Sequence, residues 1–412
     1  MTRMTRRHFL AASASLVRAA ESPRFLLLVT EAEAKRMRDF VQTDRAGRID
    51  GYAKAALAAG PWSVTFKRPQ GLKVDAGPND YVSEAPYWFP DPKNPNGPYL
   101  RRDGEHNEAR FTGNTNDLRK MVAAVLTLGM GAFFAGKPGC TDHASRILSV
   151  WFLDPKTAMN PNLEHGQMIR GINTGRGAGM IDTQYLIHAA QGIVLLEMAG
   201  GLKSDISAGV RRWFADYAKW MTTSSHGASE RKAGNNHATW WTTQVAAYAA
   251  FTGDGVLRRM AWDHYRNYLV PAEIQPDGSC PREEERTRSL HYSSMNQDSF
   301  SLLCRLAQLD RVDLWHFRTA KGIGVEKSFF YLLPYMLRPE TWKKQQIDAY
   351  DPGIHYFAGL AGIGLPSEKL LAAYLGTPRE DTPWVQFIDI LIRGTLAEKR
   401  GRRVFAGRQI LA

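Results

Sequence analysis

Cysteine is scarce in this chain of 412 residues, which contains only Cys140, Cys280 and Cys304. An odd number leaves at least one thiol unpaired, and no C-x-x-C spacing occurs, so the sequence has neither a disulfide framework nor a cysteine-based zinc or redox motif. We therefore expect three buried structural thiols.

Long apolar runs are also missing. Because no stretch of about 18 uncharged apolar residues occurs, we expect no membrane-spanning helix.

Several catalytic and binding motifs are absent as well. The sequence has no H-E-x-x-H and no other histidine pair at a convincing zinc spacing, so we expect no metal site. It lacks the G-x-S-x-G elbow of many serine hydrolases. No helix-turn-helix, RNA-recognition or zinc-finger pattern occurs, and we expect no nucleic-acid partner. The glycine-rich segment Asn173–Gly179 is neither a dinucleotide fingerprint nor a Walker loop, and we expect no cofactor.

Negative charge is in short supply. The chain has 53 Lys and Arg against 41 Asp and Glu, which gives a formal net charge of +12 with neutral histidines. A surplus of this size favours a polyanionic partner, which could be nucleic acid, an anionic membrane or an acidic polysaccharide. Charge alone does not choose among these three.

The first residues have the composition of an export signal. Arg6 and Arg7 precede a short, weakly apolar run of small residues that ends near Val17. This pattern is typical of a twin-arginine signal peptide over residues 1–20, and the alternative is a basic, fraying N-terminus. Loss of that segment removes four arginines and no acidic residue, which leaves a net charge of +8. We expect a periplasmic or secreted protein whose residues 21–412 form a single domain.

Helical periodicity dominates the rest of the chain, and strand-like alternation is scarce. The predicted helices are Leu118–Phe134, Met180–Met198, Val210–Met221, His237–Phe251, Val256–Val270, Gln297–Leu309, Lys327–Leu337, Glu368–Leu375 and Trp384–Ala397. Helices of this length joined by short turns are typical of stacked helical hairpins. We therefore predict an all-α fold, an (α/α) toroid or incomplete barrel. The basic stretch Glu398–Gln409 is interpreted as a solvated tail.

Residues 72–113 interrupt the helical pattern. They are rich in Pro, Gly, Asn and Asp, and they also carry several aromatic rings, among them Tyr81, Tyr87 and Trp88. A loop of this length is usually functional or disordered, and its aromatic content argues against disorder. We predict an ordered excursion over one face of the toroid, whose rings form either a sugar platform or a hydrophobic plug.

The segment Gly234-Asn235-Asn236-His237 stands where a helix should begin. Asparagine is a good N-cap, so a simple capped helix explains one of the two asparagines. The functional alternative is that an amide and an imidazole share a small site beside the positive end of the helix, where a carboxylate or oxyanion would bind. The sequence leaves both interpretations open.

A second dense group of titratable side chains covers residues 283–292. Three glutamates precede Arg286 and Arg288, and His291-Tyr292 leads into the next apolar helix. Mixed charge runs are most often salt-bridged surface loops. The apolar residues that follow favour a segment that turns toward the interior.

Together these segments resemble the alginate lyase superfamily of polysaccharide lyases. The resemblance is carried by GNNHATWW, RTRSLHY, the NTGRG loop, and APYWFPDP with YLRRDGEHN, over roughly residues 75–310. The YWFPDP stretch is more similar to the branch that includes glucuronan lyases than to the mannuronate-specific enzymes. In the latter branch an arginine stands seven residues before the tyrosine of the His-Tyr pair, whereas here that position is Glu285.

The resemblance implies a helical toroid with a groove for a polyuronate, which is cleaved by β-elimination. The implied catalytic residues are Asn236, His237, Arg286, Arg288 and Tyr292. Tyr292 is the implied acid and also the first candidate for the base, with His237 second. The implied substrate-binding residues are Asn173, Arg176, Asn235, Glu285, His291, Tyr81, Tyr87, Trp88 and Trp240. The partner is an acidic polysaccharide, either alginate (polymannuronate) or glucuronan.

Three other functions compete with this one. A glycosaminoglycan lyase would need large β-sandwich domains, for which about a hundred mostly helical residues after position 310 leave no room. A helical-barrel uronyl hydrolase would need an acid pair, for which Asp182 and Asp298 are the candidates. A non-catalytic polyanion-binding protein could keep the same fold without the chemistry.

Overall fold

The computed structural model describes residues 27–69 and 74–409, with side chains described as far as residue 397. The predicted export signal, residues 1–20, lies outside this part of the chain. Sixteen α-helices occur within it: Glu31–Phe40, Ala46–Leu57, Gly113–Ala135, Cys140–Leu148, Leu186–Met198, Ser204–Thr223, Ser225–Arg231, Asn236–Thr252, Gly255–His264, Val270–Glu273, Pro281–Glu284, Ser289–Leu309, Val325–Leu337, Phe357–Gly364, Glu368–Gly376 and Pro383–Gln409, numbered α1 to α16 in this order.

Helix boundaries follow the capping residues of the sequence. Thr30 and Glu33 form a capping box at the start of α1, and the Asp254 carboxylate accepts from two backbone amides at the start of α9. Gly136 and Gly253 end α3 and α8 with φ angles of 60° and 83°. These left-handed values favour glycine, which explains why the predicted helices stop at these residues.

The helices pack as a closed toroid around one continuous apolar core. Helix α8 packs against α6, α9 and α12, helix α3 packs against α2 and α5, and the first helix packs against the last. The α3–α5 crossing depends on glycine, because a Cβ at Gly129 would lie 2.5 Å from the carbonyl oxygen of Gly192. The predicted all-α toroid is confirmed.

Most predicted helices are present, but α3, α6 and α12 begin five to eight residues earlier than predicted, and another predicted helix is divided. The predicted helix Met180–Met198 is split into a 3₁₀ segment, Gly177–Thr183, and α5, which begins at Leu186. The glycines of the 3₁₀ segment disfavour a regular helix. They also allow a close approach, since a Cβ at Gly179 would lie 2.6 Å from the backbone of Gly166.

Two further boundaries differ from the prediction. The helix predicted to end at Val270 continues through a π-helical turn, Tyr265–Leu269, into α10. Pro271 lies in the first turn of α10, directly after the π-helical turn. The stretch Glu398–Gln409, interpreted as a tail, is instead part of the backbone of α16.

The described part of the excursion, residues 74–112, is ordered, as predicted, and contains short strands. Strand β1, Val82–Glu84, pairs in parallel with β4, His165–Met168, while β2, Trp88–Phe89, pairs antiparallel with β3, Leu100–Arg101. The Asn107 side-chain amide donates to the Trp88 carbonyl at 2.8 Å and connects the segment after β3 to β2. This excursion forms one wall of the cavity described below.

Helix α3 is long and apolar enough to cross a membrane, and it is the one such helix in the described part of the chain. Most of its residues are buried against other helices of the protein, as in the core helix of a soluble domain.

The three cysteines are buried and unpaired, which confirms the prediction of structural thiols.

Candidate active site

One cavity of about 550 Å³ lies between the start of α8, the start of α12, the 3₁₀ segment before α5 and the β1–β3 excursion. Six arginines line it: Arg101, Arg110, Arg119, Arg176, Arg286 and Arg288. The acidic residues in the described lining are Glu84 and Asp182. The excess of cations makes this cavity attractive to an anionic ligand.

The start of α8 contributes two asparagines with different tasks. The Asn235 side chain is the N-cap and accepts from the backbone amide of His237 at 3.2 Å. Asn236 is buried, and its backbone amide and side-chain Nδ2 both donate to the Glu283 carboxylate, at 2.5 and 2.8 Å. Burial raises the pKa of Glu283, although the hydrogen bonds from Asn236 oppose this. Glu283 therefore fixes the orientation of the Asn236 amide at the cavity wall.

His237 is oriented by a second buried carboxylate. Its Nδ1 lies 2.8 Å from Glu230 Oε2, and Glu230 is 5% exposed. With a proton on Nδ1, the Nε2 atom of this cavity-lining ring is free to accept or, when protonated, to donate. Gly177 provides space for Glu230, because a Cβ there would lie 3.2 Å from the Glu230 Cγ.

Tyr292 stands in the first turn of α12 and is 7% exposed. The guanidinium of Arg286 lies 3.8 Å from the centre of its ring, and its hydroxyl is hydrogen-bonded to the hydroxyl of Tyr87. Burial and the neighbouring Tyr87 raise the pKa of the Tyr292 phenol, and the Arg286 charge opposes them. The phenol is therefore protonated at neutral pH in the free protein.

Arg286 is held by the excursion. Its Nε and Nη2 atoms donate to the Asp103 carboxylate at 3.0 and 2.9 Å. Burial would raise the pKa of Asp103, but the hydrogen bonds and charge of Arg286 outweigh it and hold that pKa at about 2. The pair fixes the guanidinium over Tyr292 and connects the excursion to α12.

Arg288 and the histidines form the adjoining wall. Arg288 pairs with Asp348 at 2.7 Å, and its Nη1 lies 3.3 Å from His106 Nε2. The His291 ring lies 5.6 Å from the ring of Tyr292. Burial, together with the nearby His355 and arginines, lowers the pKa of His291 to about 3, so this imidazole is neutral.

Arg176 differs from the arginines at α12 because no carboxylate pairs with it in the described part of the chain. Its Nε and Nη2 atoms donate to the backbone and side-chain oxygens of Gln167, at 3.1 and 2.8 Å. Burial lowers the pKa of Arg176. Gln167 adopts a φ of 47°, a conformation unusual outside glycine, and its amide donates to Asp182 at 3.0 Å. An unpaired, desolvated guanidinium of this kind suits an incoming carboxylate.

Ten of the residues proposed from the sequence line this one cavity. They are Asn235, Asn236, His237, Arg286, Arg288, His291, Tyr292, Arg176, Tyr87 and Trp88. In particular, the Asn-His and His-Tyr segments meet at one site, although more than fifty residues separate them in sequence.

Four other proposed substrate-binding residues lie elsewhere. Tyr81 is buried and donates to Asp182 at 3.1 Å, and Trp240 lies in the core with 5% of its surface exposed. Both rings pack inward and form no sugar platform. Asn173 lines a separate surface cavity and accepts from the Ile169 amide. Glu285 is exposed and lies outside the lining, because the α11 turn directs Glu283 inward instead.

Sequence reasoning missed the residues that support the site. Glu230, Glu283, Asp103 and Gln167 each hold a cavity-lining side chain, but none of them was proposed as a site residue, although Asp103 lies in the YLRRDGEHN stretch. The acidic run 283–285 contained a signal for Glu283, yet only the turn geometry buries Glu283 and Glu284, leaves Glu285 exposed and brings Glu283 to Asn236. Among the described residues, no group of three or more His, Cys, Asp or Glu could hold a metal ion.

Solved structures with the same architecture belong to alginate lyases. An alginate lyase from Bacteroides ovatus superposes with a TM-score of 0.82 and 30% sequence identity, over 89% of this chain and 98% of that one. Alginate lyase A1-III from Sphingomonas species A1 has a TM-score of 0.53 and 18% identity, over 82% and 86% of the two chains.

A histidine-to-alanine variant of alginate lyase A1-III, in complex with a tetrasaccharide, has a TM-score of 0.55 and 16% identity over 83% of this chain and 87% of that one. A search among curated proteins found no match. The sequence model of the alginate lyase family matches residues 67–342, most of the chain. On this match and the likeness to the Bacteroides ovatus enzyme, the chain belongs to the alginate lyase family and is a polysaccharide lyase.

Proposed function

We propose that the protein cleaves a 1,4-linked polyuronate, with alginate as the first candidate, by β-elimination. The observation that carries the proposal is that His237 and Tyr292 line one cavity together with six arginines. In this reaction a base removes the proton at C5 of a uronate, and the C4–O4 bond breaks. The electron pair of the C5–H bond forms the C4–C5 double bond, and O4 leaves with a proton.

The first requirement is neutralisation of the uronate carboxylate, because loss of the C5 proton turns it into an enolate-like dianion. Preoriented donors at that carboxylate stabilise the charge as it develops. Asn236 and His237 are fixed by Glu283 and Glu230, so little reorganisation is needed at these two side chains. Arg176 adds a cation that makes no ion pair with a carboxylate of the described residues, although the charges of Glu230 and Asp182 act to raise its pKa.

The second requirement is an acid for the leaving O4 atom, and Tyr292 meets it. Its raised pKa keeps the phenol protonated, and its hydroxyl lies at the cavity wall beside that of Tyr87. Arg286 stabilises the phenolate that remains after proton transfer.

The base depends on the configuration of the sugar at C5. Where the C5 proton and O4 lie on opposite faces, as in guluronate, His237 Nε2 is the base and Tyr292 is the acid. Where both lie on one face, as in mannuronate and glucuronate, Tyr292 must act as both and must first lose its proton. Burial and the neighbouring Tyr87 oppose that ionisation, while the positive charge of Arg286 favours it.

A hydrolytic reaction at this cavity has weaker support. Its acid pair would be Asp182 and Asp298, but Asp298 accepts from His355 and two backbone amides and lies outside the lining. Asp182 already accepts from Tyr81, Ser83 and Gln167. Elimination consumes no water and needs no such pair.

The relatives support an oligosaccharide as the ligand, since A1-III variants of the same fold were solved with a bound tetrasaccharide. Export to the periplasm or beyond is part of the proposal, because residues 1–20 have the pattern of a twin-arginine signal and acidic polysaccharides are met outside the cytoplasm.

The test is a substrate screen with an optical readout. Polymannuronate, polyguluronate, glucuronan and hyaluronan are each incubated with the enzyme, and absorbance near the ultraviolet edge is followed. A rise caused by the unsaturated uronyl end is expected with alginate blocks. New reducing ends without that rise would mean hydrolysis and would overturn the proposal.

A further inference from the structure

A larger cavity, of about 870 Å³, opens on the outer surface between the end of α7, helix α9 and the π-helical turn Tyr265–Leu269 that follows α9. It shares no lining residue with the candidate active site. Its wall combines three cations, Arg231, Lys232 and Arg259, with the apolar side chains of Val256 and Met260. A volume of this size is in the range of ligand-binding clefts.

The three cations are not neutralised by the protein. Neither Arg231, Lys232 nor Arg259 makes an ion pair within the described residues, and all three are exposed. Asp263 is the acidic residue of the described wall, and it already lies 3.6 Å from Arg266. The cavity therefore carries a net positive charge that favours an anionic ligand.

An aromatic ring forms part of the same wall. Tyr268 stacks on His264 at 5.0 Å with an interplanar angle of 15°, and its hydroxyl donates to the Lys232 carbonyl at 2.7 Å. Burial and Arg231 lower the pKa of His264 to about 4, so the stack is uncharged at neutral pH. Val256 is 67% exposed and extends the apolar surface. Apolar and aromatic surface beside unpaired cations matches a sugar ring that bears a carboxylate.

The cavity also adjoins the catalytic machinery in sequence. Arg231 and Lys232 end α7, and three residues later the chain reaches Asn235, whose side chain caps α8. Glu230, next to Arg231, holds His237 on the other side of the same turn. A polymer that contacts the outer cavity is thus held close to the cavity where it would be cleaved.

We infer that this outer cavity is a second binding site for the acidic polysaccharide, in which Arg231, Lys232 and Arg259 contact uronate carboxylates and Tyr268 packs against a sugar face. The inference rests on the proposed function for the identity of the ligand. A second site on one long chain raises the effective concentration of cleavable units at the active site. A short oligosaccharide cannot use both sites at once.

The test compares substrate lengths in the double variant Lys232→Ala with Arg259→Ala. We expect KM for the long polymer to rise by at least about fivefold, with kcat unchanged and with no change for a tetrasaccharide. The control is Lys35→Ala with Lys54→Ala, which removes the same charge from exposed lysines of α1 and α2. The inference would be overturned if the double variant had the same KM for the polymer as this control. It would also be overturned if KM rose equally for the polymer and the tetrasaccharide.

A binding measurement separates this inference from the proposed function. Retardation of the protein in a gel that contains polyuronate needs no cleavage, and the double variant should migrate faster than wild type while the control does not. Absence of an ultraviolet signal in wild type would reject the reaction and leave this result intact. Loss of RNA retardation in the double variant, with polyuronate retardation unchanged, would assign the cavity to nucleic acid and contradict the inference.

Discussion

The candidate active site has a helix-borne half, formed by Asn236, His237 and Tyr292, and a loop-borne half, formed by Tyr87 and Asp103. The helix-borne residues stand in the first turns of α8 and α12, where the backbone is fixed by the packing of the toroid. The loop-borne residues contact partners that are distant in sequence: Tyr87 contacts Tyr292, 205 positions later, and Asp103 contacts Arg286, 183 positions later. The chemical groups thus come from the rigid scaffold, and the excursion adjusts their environment.

The two halves are also stabilised in different ways. In the helix-borne half, buried Glu283 and Glu230 orient an amide and an imidazole by direct hydrogen bonds. In the loop-borne half, Asp103 fixes Arg286, whose guanidinium acts on Tyr292 through the face of the ring. The account therefore predicts large losses of activity from the helix-borne side chains and smaller, pH-dependent losses from the loop-borne ones.

The largest effect is expected for Tyr292→Phe. Removal of the hydroxyl eliminates the proton donor for O4 but leaves the ring beneath Arg286, so kcat should fall by at least about a hundredfold while the fold is kept. Initial rates by ultraviolet absorbance, with polymer binding measured in parallel, check this. Turnover near that of wild type would remove Tyr292 from the mechanism.

A smaller but clear loss is expected for Glu283→Gln. Loss of the charged acceptor loosens the Asn236 amide, and kcat should fall by about tenfold to a hundredfold with KM little changed. Glu285→Gln is the matched control, because this neighbouring glutamate is exposed and lies outside the cavity. Equal losses in the two variants would show that Glu283 has no special positioning role.

A modest effect is expected for Tyr87→Phe in the loop-borne half. The variant loses the hydrogen bond to the Tyr292 hydroxyl, and kcat on mannuronate blocks should fall by about threefold to tenfold. Because Tyr87 raises the pKa of the Tyr292 phenol, the pH profile of kcat on these blocks should move to lower pH. A loss as large as that of Tyr292→Phe, or an unchanged pH profile, would contradict the division into two halves.

The smallest expected effect concerns the stability of the fold. It involves Glu273, a buried residue that contacts α8 and α12, the two helices of the helix-borne half. Burial raises the pKa of Glu273 to about 8, against an ordinary value of 4.5, while Asn296 and Thr239 donate to its carboxyl group. The folded state therefore binds this proton more tightly, and the contribution to stability falls as pH rises from about 4.5 through 8.

Glu273→Gln mimics the protonated carboxyl and removes this pH dependence. Thermal unfolding should be unchanged near pH 5, and Tm should rise by about 2 °C relative to wild type near pH 9. Tm values recorded for both proteins across that pH range check the prediction. A destabilisation at every pH would mean that Glu273 is ionised in the folded protein.

The fold and the helix-borne half were largely predictable from the sequence. Helix periodicity and stop glycines such as Gly136 and Gly253 depend on local interactions, and the Asn-His and His-Tyr segments are compact motifs. The loop-borne half was less accessible, because the Asp103–Arg286 pair depends on how the excursion folds over the toroid. Tyr81 illustrates the difficulty. It belongs to an aromatic-rich segment that suits a sugar platform, but its ring is buried in the core.

Glu283 and Glu230 were unpredictable for a related reason. A buried glutamate that supports a neighbour has no local signature, and in the run of three glutamates only the turn at α11 decides that Glu283 and Glu284 are buried while Glu285 is exposed. Arg176 was proposed from its glycine-rich loop, but its partner Gln167 was not, because a supporting side chain has no local signature.

The central claim is that the polymer is cleaved by elimination across the cavity shared by His237 and Tyr292. Cleavage in water enriched in heavy oxygen, followed by mass spectrometry of the fragments, tests it most directly. The account predicts fragments without incorporated label at the scissile bond and a non-reducing end that is lighter by one water. Heavy oxygen in the new ends, with saturated uronates on both sides of the cut, would contradict it.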